Sequence, residues 1–142
     1  MLSVSLVAVG CGSQGNRVPL VAVRGNVTYQ GKPLPGALVV FEPVEPRKAP
    51  DGTSMPNPAG TTDEAGDFTL DTYEPGDGAP EGTYRVKIST APAPGADTGI
   101  LRKRSKAELT DILKGRYLDP NVTQLKATVT RGQGQIPPFD LK

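Results

Sequence analysis

The sequence predicts an all-β fold, an antiparallel β-sandwich of about seven strands with one short helical insert. Three observations carry that expectation. Short apolar alternations of period two recur along the chain, and clusters of Gly, Pro, Asp and Asn separate them at the roughly 8–12-residue spacing of small sandwiches. The 142 residues include 17 Gly and 15 Pro, a turn-rich composition still short of the ~25–30% at which a chain reads as low-complexity. The length fits one domain.

Residues 1–10 form an uncharged, largely apolar stretch. It falls short of the ~20 residues that span a bilayer but within the ~7–15 of a signal-peptide apolar region. Ala8, Val9, Gly10 and Cys11 resemble the bacterial lipobox, in which small residues precede the Cys that is lipidated, with Ala8 where Leu is usual. This predicts a signal peptide with a lipobox-like cleavage site over residues 1–11, a flexible tether over 12–20, and a sandwich domain over 21–142. The resemblance implies a lipid on Cys11 and a folded part held outside the cytoplasm, anchored to a membrane of the bacterial cell envelope. Each buried CH₂ contributes ~0.8 kcal/mol, so two or more acyl chains anchor stably. The same stretch also reads as a strand, Leu2, Val4 and Leu6 alternating with Ser3 and Ser5.

From Val21, Val23, Val27 and Tyr29 give a half-buried first strand. Lys32, Pro33 and Pro35 interrupt it as a turn, because proline lacks the N–H a ladder needs. Ala37 to Phe41 resume a strand. Residues 42–58 carry five prolines and no apolar period, and read as a loop. Asp63 to Gly66 signal a turn, after which Phe68 and Leu70 share one face of a hairpin arm. In residues 83–88, Tyr84, Val86 and Ile88 point inward and Arg85 and Lys87 outward. Leu125, Ala127 and Val129 repeat the pattern, and Phe139 with Leu141 gives a last strand. Between them, residues 91–99 read as a linker. Ser105 to Glu108 form a capping box ahead of Leu109, Ile112 and Leu113, with Gly115 just past the end of a short helix that must dock to be stable.

Three runs, GNVTYQGKPLPGALVVF (Gly25 to Phe41), TTDEAGDFTL (Thr61 to Leu70) and PEGTYRVKI (Pro80 to Ile88), resemble in that order the carboxypeptidase regulatory-like module of small bacterial lipoproteins. The resemblance implies an Ig-like, transthyretin-like sandwich. It implies no activity, because the enzyme that gives the module its name has no counterpart in this sequence. Each matched residue has a structural reason: glycines for tight backbone, Asp63 for a turn, Tyr84 for a large buried ring.

The composition excludes several function classes. With no His, HExxH sites, Ser/His/Asp and Cys/His triads and nearly all catalytic zinc sites lose their base or ligand. One Cys excludes a disulfide framework. A formal charge of +1 gives no long-range attraction for nucleic acid. The basic cluster Arg102, Lys103, Arg104 and Lys106 reads as a solvated helix entrance. Asp63, Glu64, Asp67, Asp71, Glu74 and Asp77 gather around two turns without a calcium-loop spacing, so neither a metal nor a cofactor is expected. The expected function is that of a non-catalytic, membrane-tethered lipoprotein module with a structural or protein-binding role. Its partners are membrane lipid through the anchor, and an envelope protein or glycan. The alternatives are a carbohydrate-binding module, with Tyr73 and Tyr117 as candidate ligand-binding rings, and an unconventional hydrolase working through groups such as Asp67.

Overall fold

A computed structural model describes residues 17–90, 112–119 and 121–142. The lipobox with Cys11, most of the tether, the 91–99 linker, the capping box and the basic cluster lie outside the described residues.

Eight strands form: β1 Arg24–Tyr29, β2 Lys32–Pro33, β3 Leu38–Pro43, β4 Ala59–Thr61, β5 Asp67–Thr69, β6 Gly82–Ser89, β7 Lys126–Val129 and β8 Phe139–Leu141. They make two four-stranded sheets, one with β1 between β5 and β2 on one side and β8 on the other, the second in the order β4-β3-β6-β7. The all-β, two-sheet expectation holds, and three details change. The described strands number eight rather than seven. β8 runs parallel to β1, pairing Val27 with Phe139 and Tyr29 with Leu141, whereas the other pairings between strands are antiparallel. Lys32 and Pro33 do carry a ladder: Gln30 and Gly31, at φ 51° and 77°, make a tight turn that folds β2 back on β1. Pro33 is tolerated because the strand lies at an edge.

No helix occurs among the described residues. Of the predicted helix, residues 112–118 form successive turns, with Arg116 N–H donating to Leu113 O (3.0 Å) and Leu118 N–H to Gly115 O (3.2 Å). Lys114 and Gly115 both have positive φ, which ends any right-handed winding there. Leu113 is buried in the core while Ile112 is exposed. The Ile112 N–H donates to Thr90 Oγ1 (2.9 Å), so the chain re-enters the described structure beside the point where it left.

The core is built by alternation. Phe41, Tyr84, Val86 and Ile88 from one sheet and Val27, Phe68, Phe139 and Leu141 from the other are buried. Phe41 joins the layers, its ring 5.5 Å from Tyr84 within its own sheet and 6.4 and 6.5 Å from Phe68 and Phe139 across the interface. Such pairs each contribute about 0.5–1.5 kcal/mol beyond burial. Gly25 is required because a Cβ there would lie 2.5 Å from the Phe68 ring. β4 and β5 form a hairpin split between the sheets, β4 pairing with β3 and β5 with β1. Its turn is fixed by Thr62, whose hydroxyl donates to Leu34 O (2.5 Å) and accepts from Ala37 N–H (2.8 Å) in a buried site.

Candidate functional site

The turns that carry the resemblance are also where the acidic residues gather, and three of those carboxylates, Asp63, Asp71 and Asp77, are engaged by backbone. Asp63 accepts from the N–H groups of Ala65 and Asp67, both at 2.9 Å, closing a turn at whose end Gly66 adopts φ 79°. Asp67 accepts from Asn26 Nδ2 (2.7 Å). In the following loop Asp71 accepts from Gly76 N–H (2.5 Å). Asp77 gathers three amides, those of Thr72 (2.6 Å), Tyr73 (2.9 Å) and Glu74 (2.8 Å). Partial burial of Asp77 opposes its ionisation, but these N–H donors, helped by Arg17, outweigh it and hold the carboxyl below the usual aspartate range. Glu74 pairs with Arg17 at 2.6 Å. No group of three His, Cys, Asp or Glu placed to hold a metal occurs among the described residues.

The two candidate tyrosines lie in separate surroundings. Tyr73 is half-buried in the Asp71–Gly78 loop, with the Arg17 guanidinium 5.1 Å above its ring and its hydroxyl buried without a hydrogen-bond partner. Tyr117 is half-buried against the core, where its hydroxyl accepts from Lys142 N–H (3.1 Å) and donates to Lys142 O (3.2 Å). Its carbonyl accepts from Ile88 N–H (3.0 Å), extending the cover over the outer side of β6. Tyr117 therefore packs its loop onto the sandwich, while the Tyr73 ring is covered by Arg17.

Tyr84, also matched in the resemblance, donates its hydroxyl to Pro80 O (2.6 Å), and burial pushes its pKa up, with nearby Arg47 opposing. Arg47 lies 5.7 Å over the Tyr84 ring and so pins the 44–58 loop to the end of β6. A Cβ on Gly82 would collide with that guanidinium.

Two open polar grooves mark the described surface, the first beside the turn of residues 63–67. One, of about 470 Å³, is lined by Arg24, Thr61, Asp63, Asp67, Thr69 and Gln135. The other, of about 520 Å³, is lined by Arg85, Asn121, Thr123, Gln124 and Lys126. Sequence reasoning turned Arg85 outward and set Lys126 between apolar residues, but it missed that the two are register partners across β6 and β7. Only the pairing of distant segments could reveal it. Compared with family models, with curated proteins and with solved structures, the chain matches none.

Proposed function

We propose that this chain is a non-catalytic binding module, a transthyretin-like sandwich of the carboxypeptidase regulatory-like type, lipid-tethered through Cys11 at a bacterial cell envelope and working by contact with another protein. One observation supports this reading above the others: the polar groups of the resembling runs serve the fold. The side chains of Thr62, Asp63 and Tyr84 bond backbone, and that of Asp67 bonds the Asn26 side chain on the neighbouring strand. A general acid or base needs a group free to reach a substrate proton, and a metal needs several converging ligands. These residues instead brace a scaffold whose loops and outer faces are left for recognition.

The test is fractionation of cells expressing the full chain. The expected outcome is that the protein sediments with membranes and carries lipid mass at its amino terminus, and that Cys11→Ser moves it to the soluble fraction without that mass. An unchanged distribution discards the tether. The module's role is tested by in-cell cross-linking, where a recurrent protein partner supports the reading and recovery of cross-links to none refutes it.

A further inference from the structure

The outer side of β7 combines a free strand edge with an uncompensated positive charge. Among the described residues β7 ends its sheet, pairing with β6 alone. The direction of its backbone follows from its neighbours. Val86 N–H donates to Leu125 O (3.0 Å) and Val44 N–H to Thr83 O (3.1 Å), so Tyr84 and Val86 turn their backbone toward β7, and Thr83 and Arg85 turn theirs away. With Tyr84 opposite Ala127, the backbone groups of Lys126 and Thr128 face away from the sheet, and no hydrogen bond among the described residues occupies them. They offer two N–H donors and two C=O acceptors in strand geometry.

The side chains add a sign. Arg85 and Lys126 stand directly opposite each other, as a non-hydrogen-bonded pair whose side chains are closest. Like charges in that position destabilise a sheet. Glu42 is the register partner of Arg85 on the other side, yet its carboxylate goes to Lys87 at 2.5 Å. Among the described residues Arg85 is left without an ion pair.

We infer that β7 is a docking edge for an extended acidic peptide segment of a partner protein, which adds as a strand beside Lys126 and Thr128 and sets carboxylates against Lys126 and Arg85. Backbone bonds supply attachment, and the cations supply sign and register. A second copy of this chain is the poorer occupant, because pairing β7 with β7 adds further lysine to a face already carrying two cations. The inference deepens the protein-binding reading and rests on it, but not on the lipid tether.

The experiment titrates the full chain with three peptides: one alternating glutamate and valine, its lysine counterpart, and the acidic peptide N-methylated at alternate residues so that it cannot bond an edge. Expected are slowed hydrogen exchange at the Lys126 and Thr128 amides with the acidic peptide only, and at least tenfold weaker binding of it to Lys126→Glu and to Arg85→Gln. Lys126→Glu gains the lysine peptide, and Arg131→Gln, away from the groove, binds as the parent does. Equal binding of the acidic and N-methylated peptides, or unchanged binding by Lys126→Glu, overturns the proposal. So does a chain that refuses the acidic peptide while Lys126→Val dimerises, since Lys126 then only guards the edge. A cross-linked partner seated on another surface would sink this edge but leave the protein-binding reading standing. Unchanged circular dichroism separates all these effects from misfolding.

Discussion

The turn between β4 and β5 and the outer face of β6 and β7 treat polar groups in opposite ways. In the turn, Thr62 and Asp63 make four hydrogen bonds to backbone, and the geometry they hold links one sheet to the other. On the β6–β7 face, two cations oppose each other with no acid paired to either among the described residues. A group whose bonds go to backbone holds the fold, whereas one left uncompensated lowers stability and remains free to act.

The sharpest way to break the comparison is Thr62→Val, which keeps the shape and removes the hydroxyl. Ala37 N–H and Leu34 O then lose their buried partner, and stability is expected to fall by about 2–4 kcal/mol, read from urea denaturation. A smaller effect comes from acid. Asp77 has a folded-state pKa below its unfolded value of about 3.9, so its contribution is complete above that value and is lost as pH falls through the depressed one. Denaturation midpoints measured at pH 6 and at pH 3 should therefore differ less in Asp77→Asn than in the parent. The smallest change has the opposite sign. Lys126→Glu replaces a like-charge pair with an opposite one and is expected to stabilise by about 0.2–1 kcal/mol, a rise of roughly 1–4 °C in Tm by calorimetry. A loss of stability there would mean that Arg85 and Lys126 are compensated after all.

What could be read from the sequence follows the same division. Alternation exposed β6 and β7 because each has one face in the core, so Tyr84, Val86, Ala127 and Val129 had to be apolar. It exposed Phe139 and Leu141 as inward residues but not their partner, since a period of two fixes a face and says nothing of which strand lies alongside or in which direction. β2 was hidden because its turn places Gln30 at positive φ, a conformation that Gln seldom adopts. At the candidate sites, local sequence could not show that Lys142 reaches Tyr117 or that Arg17 lies over Tyr73. The Arg85 and Lys126 pairing was beyond reach for the same reason.

The bond between Ile112 and Thr90 Oγ1 makes the two flanks of residues 91–111 a fixed gate in the sandwich wall. Closing a chain across such a gate costs only about 0.6 kcal/mol more for each doubling of its length. Held flanks therefore make the closure cost of the intervening chain only weakly dependent on its length.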